Sequence, residues 1–144
     1  MSSNVSIFFF SEQTTYKPKQ IKALKNWVLS VINAENFQLQ ELNFIFCSDD
    51  YLLKINREYL KHDTYTDTIT FDNSENKENV FGDVFISVDR VRENAKLFKN
   101  SLADELHRVM VHSTLHLLGY KDKSAKDKTL MTDKENEYLA IRNF

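Results

Sequence analysis

His112 and His116 stand four residues apart, and Asp122 follows six residues later. On a helix the four-residue step puts both histidines on one face, with Cβ atoms roughly 5–6 Å apart. At that separation two imidazole nitrogens reach one Zn²⁺ at about 2.0–2.1 Å each. Gly119 lies three residues past His116, where helices often end in a left-handed residue that glycine adopts without steric cost. The chain then reverses and brings Asp122 back as a third ligand. Three protein ligands with a free fourth position are the pattern of a catalytic zinc rather than a closed structural one. His-x3-His alone also fits two helix histidines, one packed and one solvated; the glycine stop and the carboxylate beyond it favour the metal. Such a zinc polarises a carbonyl or phosphoryl oxygen and lowers the pKa of water to about 7. The expected class is therefore hydrolysis, with one ion per chain. The aspartate also leaves room for nickel, manganese or iron.

The substrate must be read from the surroundings of these ligands. Zinc peptidases carry His-Glu-x-x-His with the glutamate as general base, and here that position is Ser113. A serine does not take a proton from water at neutral pH as a carboxylate does. The series His-x3-His-x2-Gly-x2-Asp still approaches the metzincin spacing, with Met131 placed to mimic a methionine turn, so a zinc metallopeptidase stands as an alternative. Phosphodiester hydrolysis suffers less from the missing base, because metal-activated water, the ion's charge and basic side chains supply most of what it needs. Glu105, one seven-residue step before His112, is a candidate catalytic residue, as a partner of His112 or a proton acceptor. It equally suits a helix N-terminus through the macrodipole. His62, beside Asp63 in a polar turn, is a candidate for substrate contact or proton transfer, or else a turn histidine with no role. Lys54, Arg57 and Lys61, with Arg90, Arg92, Lys96 and Lys99, either line a basic rim for phosphates or are solvated helix faces.

The elements that position these residues follow from periodicity. Val5 to Phe10, Leu42 to Cys47, Thr68 to Phe71 and Val80 to Val88 read as strands. Pro18 suits the first turn of a helix, continued by Ile21, Leu24, Val28, Val31 and Ile32 at helical spacing, with Trp27 read as core. Ser48 is a plausible N-cap for a helix carrying Leu52, Leu53, Ile55 and Tyr59. Asp72 to Asn79 holds no apolar residue and forms a loop. Asp89 to Lys99 is an amphipathic helix. Ser101 with Asp104 resembles a capping box opening the metal helix, whose apolar residues spread around most of its circumference and place it centrally. A last helix runs from Lys126. Gly82, inside a strand, marks a bulge or a close backbone approach. Strands joined by a polar loop pair antiparallel, and helical crossovers give parallel neighbours. The fold class is α+β, a small mixed four-stranded sheet packed on a central buried helix.

Composition bounds the partners. The 144 residues fit one domain. A net charge of −2 gives no overall electrostatic case for nucleic acid, so such a site must be a local patch. Cys47 is the only cysteine, which leaves no disulfide partner within the chain, and it reads as an apolar filler rather than a nucleophile. No apolar run approaches a membrane span. A cytoplasmic protein is expected.

The stretch His112-Ser113-Thr114-Leu115-His116-Leu117-Leu118-Gly119-Tyr120-Lys121-Asp122 resembles the motif His-Gly-x-Leu-His-Leu-x-Gly-Tyr-Asp-His of the YbeY family of bacterial endoribonucleases, also described as ribosomal RNA maturation factors. A second block, Asn-x-x-Tyr-Arg-x-x-Asp-x-x-Thr-Asp, is met by Asn56, Tyr59, Leu60, Asp63, Thr66 and Asp67, and Gly82-Asp83 opens the next strand as in the family. The resemblance runs from Leu42 to Tyr138. It implies a single domain over residues 1–144 with a zincin-like metallohydrolase fold and one zinc. It also implies single-strand-specific RNA cleavage in ribosomal RNA processing, contact with the small ribosomal subunit, and no protease role. By position His112 and His116 match the first two zinc ligands, and Asp122 replaces the third histidine. The extra negative charge makes the ion a weaker Lewis acid. Ser113 replaces a glycine and Lys121 an aspartate. Leu60 replaces an arginine of the family's RNA cleft, which removes a bidentate phosphate partner. Arg57 or Lys61 is the candidate to take its place, and Arg57, Lys61 and His62 are the candidate substrate-binding residues. The missing arginine keeps a third reading open, a non-catalytic ribosome-assembly module that binds RNA through a fold held by structural zinc.

Overall fold

Alternating apolar residues build the sheet, and the computed structural model describes it within residues 5–144; the first four residues of the expected 1–144 domain lie outside the described part. The strands are β1 (Ile7–Glu12), β2 (Gln38–Cys47), β3 (Thr68–Asp72) and β4 (Asn79–Ser87). The helices are α1 (Ile21–Ala34), α2 (Asp49–Tyr59), α3 (Val88–Leu97), α4 (Leu102–Leu117) and α5 (Ala125–Ala140). The sheet order is β1-β2-β4-β3. β1 and β2 are parallel, as are β2 and β4, while β3 runs antiparallel to β4. The mixed α+β architecture is thus as the periodicity predicts.

Parity along the strands divides the core. Leu42, Phe44 and Phe46 of β2 and Val80, Val84 and Ile86 of β4 pack with Leu24, Val28 and Ile32 of α1 and with Leu106, Met110 and Leu115 of α4. Most of these are fully buried, and each large apolar side chain so placed contributes about 1.5–3 kcal/mol. Cys47, Ile69, Phe71 and Phe85 point to the other face and meet Leu52 and Ile55 of α2. Because α4 is enclosed by the sheet, α1, α3 and α5, its apolar residues span nearly its whole circumference.

Local chemistry sets the ends. Ser48 Oγ accepts from the Tyr51 N–H, Ser87 Oγ from Arg90 and Ser101 Oγ from Asp104, each the capping bond that satisfies an orphan helix donor. The reciprocal box is at α5, between Ser124 and Asp127. Helix α1 begins at Ile21 rather than at Pro18: Gln20, at φ 57°, breaks the run after the proline and stands as N-cap without a side-chain bond. β1 starts and ends two residues later than its apolar run, and β2 starts four residues earlier, at Gln38, because pairing with a neighbour extends a strand past its apolar stretch. Gly82 is a close approach, not a bulge. A Cβ there would lie 2.6 Å from the Phe71 carbonyl oxygen and 3.1 Å from Leu117 Cδ2, so its absence lets β3 and α4 close on β4. The register shift lies instead on β2, between Leu39 and Glu41.

Candidate metal centre

The end of α4 is built to turn the chain back. The Tyr120 N–H donates to the Leu115 carbonyl and the Gly119 N–H to that of His116, both at 3.0 Å, the paired bonds of a Schellman motif. Gly119 has φ +98°, which a side chain would strain. Beyond it Tyr120 Oη donates to Glu35 Oε1 at 2.6 Å. Glu35 also accepts from Tyr138 Oη and from Lys134 Nζ. Burial opposes the charge of Glu35, but these three hydrogen bonds outweigh it and hold its carboxyl below the usual value. One end of the return loop is thus tied to α1 and α5, the other is the Ser124 cap, and Asp122 lies between them.

His112 Nε2 and His116 Nε2 approach to 3.1 Å, and Asp122 Oδ2 stands 3.3 Å from each. Ligands at about 2.0–2.2 Å around a tetrahedral ion are about 3.3 Å apart, so the donor set fits a divalent cation. Three lone-pair-bearing atoms aimed at one point repel unless a positive species lies among them. Among the described residues, these are the three side chains that form such a cluster.

The tautomer of His112 is fixed from behind. Its Nδ1 lies 2.6 Å from Glu135 Oε2, while Glu135 Oε1 accepts from Arg108 Nη1 at 2.8 Å. With its proton on Nδ1, neutral His112 presents Nε2 bare to the cluster. Burial pulls the imidazole pKa down, but the Glu135 hydrogen bond and the charges of Glu135, Asp122 and Asp67 outweigh it and leave the pKa raised. Glu135 comes from α5, 23 residues along the chain, and takes the role that the seven-residue step suggests for Glu105. Glu105 is not brought to the cluster. It is buried in the first turn of α4, accepts from Asn100 Nδ2, and lies about 10.5 Å back along the helix axis from His112.

Ser113, at the peptidase base position, faces the sheet instead of the ligands. It is fully buried. Its Oγ donates to the Val109 carbonyl at 2.8 Å and lies 3.0 Å from Thr68 Oγ1.

The cluster opens on a cavity of about 560 Å³ whose walls come from the end of α2, the loop after it, β3, α4 and Asp122. Asp67, Asp72 and Asp122 are on its wall, and none of the lining residues among those described is lysine or arginine. Burial raises the carboxyl pKa of Asp67, with the field of His112 opposing. Of the three candidate substrate-binding residues, His62 lines the cavity together with Leu60. Arg57 is turned to an exposed ion pair with Asp63, and Lys61, exposed at φ 58°, is not part of the wall. Arg90 pairs with Asp49 Oδ2 at 2.6 Å. Asn56, first of the second block, is buried and donates to the Thr64 carbonyl at 2.8 Å, which ties the loop before β3 to α2. Asp83 accepts from Asn43 and Asn73 and is a tie between strands. No described helix is long and apolar enough to cross a membrane.

The family model described as endoribonuclease YbeY matches residues 7–143. An endoribonuclease YbeY of Cytophaga hutchinsonii is 51% identical over 139 residues, 96% of this chain and 97% of the relative. One of Flavobacterium psychrophilum is 49% identical over 132 residues, 92% and 94% of the two chains. The solution structure of the Thermotoga maritima protein TM1509 matches with a TM-score of 0.66 at 28% identity, covering 92% of this chain and 86% of that one.

Proposed function

The chain belongs to the endoribonuclease YbeY family and is an RNA hydrolase, and from this premise we propose that it is a metal-dependent, single-strand-specific endoribonuclease of ribosomal RNA maturation. His112, His116 and Asp122 hold the ion. The observation that carries the reading is the convergence of two imidazole nitrogens and one carboxylate oxygen on a single point in the lining of a cavity that holds three aspartates. A divalent ion bound there supplies Lewis acidity, polarising a phosphoryl oxygen and making water a stronger acid.

The residues of the chain do the rest. Glu135 keeps the His112 proton on Nδ1 and so keeps Nε2 available. Arg108 holds Glu135 in place. The Glu35 brace and the Gly119 turn set Asp122 against the two histidines. Zinc, the family ion, fits this set, although one carboxylate among three ligands also suits manganese or iron. The sheet with α4 behind it is read as a zincin-like arrangement, one domain over residues 1–144. Its partners are precursor ribosomal RNA and the small ribosomal subunit, and its compartment is the cytoplasm.

Ser113 argues against the peptidase alternative, since its hydroxyl is buried and engaged away from the ligands. A closed structural zinc needs four protein ligands, and three converge among the described residues. The test is cleavage of a single-stranded oligoribonucleotide by the metal-loaded full chain. Cutting stops with a chelator and in His116→Ala, whose circular dichroism stays native, and the same sequence in a duplex is spared. Turnover of casein, or RNA cutting that survives both treatments, overturns the reading.

A further inference from the structure

Tyr65 is a large aromatic side chain left half in solvent on the wall of the cavity that holds the metal ligands. It is 50% exposed and lines the same space as His112, His116 and Asp122. Its ring is not loose. The Arg90 guanidinium carbon stands 5.2 Å from its centroid, and Arg90 is itself held by Asp49 Oδ2 at 2.6 Å. Tyr65 Oη reaches Asp50 Oδ1 at 3.4 Å, and the preceding residue is tied to α2 through Asn56. A guanidinium packed on one face of an aromatic ring is attracted by its quadrupole, so the ring is set in orientation while half its surface remains open.

We propose that Tyr65 is a stacking platform for one unpaired base of the RNA strand, next to the phosphodiester that enters the metal site. The proposal rests on the endoribonuclease reading above. A base within a duplex has both faces covered by its neighbours, whereas an unpaired base offers one to an aromatic side chain, and such stacking tolerates any sequence. This gives the chain a physical basis for preferring single strands. It also supplies substrate affinity in a cavity whose lining residues include three aspartates and, among those described, no lysine or arginine. Arg90, behind the ring, reinforces the stack through its charge.

Tyr65 has a competing role as a brace between Asp50 of α2 and Arg90 of α3, and the test separates the two. Single-stranded oligoribonucleotides carrying 2-aminopurine at successive positions are titrated into the metal-loaded full chain, and steady-state cleavage is measured in parallel. Stacking predicts quenching concentrated at one position in the wild type and in Tyr65→Phe, and lost in Tyr65→Ala. KM rises about tenfold in Tyr65→Ala with a smaller change in kcat. If Tyr65→Phe, which keeps the ring but loses the hydroxyl tie to Asp50, fails like Tyr65→Ala, the residue is a brace and the proposal is overturned. Unchanged KM and quenching in Tyr65→Ala overturn it as well, with the endoribonuclease reading intact. A wild-type chain that cuts no RNA removes both.

Discussion

Replacing Glu135 by glutamine tests whether the metal site is prepared from behind. In the folded chain Glu135 is buried and its two oxygens serve two donors, His112 Nδ1 at 2.6 Å and Arg108 Nη1 at 2.8 Å. A glutamine keeps the shape but has one acceptor oxygen. If that oxygen faces His112, its NH₂ group meets the Arg108 guanidinium; if it faces Arg108, the NH₂ group meets His112 Nδ1 and favours the tautomer with its proton on Nε2, in the path of the ion. Hydrogen bonds involving a charged group contribute about 1.5–3 kcal/mol, and loss of a partner behind a metal-ligating histidine lowers metal affinity by about 10–100-fold. Glu135→Gln is therefore expected to weaken divalent-ion binding by about 10-fold or more, and Glu135→Ala by up to about 100-fold. Competition with a chromogenic chelator measures this directly. Thermal unfolding gives an independent reading, since at fixed free metal a 100-fold weaker site loses up to about 2.7 kcal/mol of metal-induced stabilisation. Because Arg108 is partly exposed, water can take over its solvation, and the metal-free variant should remain folded. A Glu135→Gln chain that binds the ion within twofold of wild type, with an unchanged metal-induced rise in Tm, would mean that Glu135 does not prepare His112 for the ion.

Two further outcomes follow from the fold. Gly119→Ala places a side chain at φ +98°, where the nearby space is open but the backbone is strained; urea unfolding should show a loss of about 1–2 kcal/mol, and metal affinity should fall with it because the same turn delivers Asp122. A stable variant with full metal affinity would contradict this account of the turn. His107 is buried between Trp27 and Phe144. Burial and the facing Arg142 push its pKa down to about 4, with Asp104 opposing, so between that value and the unfolded 6.5 the unfolded chain binds the proton and the native chain does not. Stability from this residue is full above pH 6.5 and falls by on the order of 3 kcal/mol as pH drops to about 4. Denaturation at pH 7 and pH 4.5 should therefore show a shallower pH dependence in His107→Phe than in wild type; equal slopes would count against a neutral buried imidazole.

What could be read in the sequence was local. The four-residue step of His112 and His116, the glycine after them and the short return to Asp122 all act within about three helical turns, and the chain closes them on one another as the spacing predicts. Ser48 and Ser101 were legible as caps for the same reason. Glu135 was not, because nothing in its own segment says which face of α5 meets α4; only the packing of the two helices brings it to His112, 23 residues away in sequence. Charge was legible at Arg57 and Lys61 but direction was not: the positive φ at Lys61 and the ion pair at Arg57 keep both off the cavity wall. Tyr65 carried no periodic signal, since it sits in a loop whose path is set by a buried asparagine eight residues from the carbonyl it holds. Pro18 misplaced the start of α1 because the left-handed Gln20 intervenes.

X-ray absorption spectroscopy of the metal-loaded full chain at the ion's own edge reads the ligand set of His112, His116 and Asp122 itself. Two imidazole nitrogens and one carboxylate oxygen are expected from the protein, with the remaining coordination taken by light solvent atoms, and one imidazole is lost in His116→Ala. Four protein ligands around the ion, or a first shell unchanged by that substitution, would contradict that ligand set.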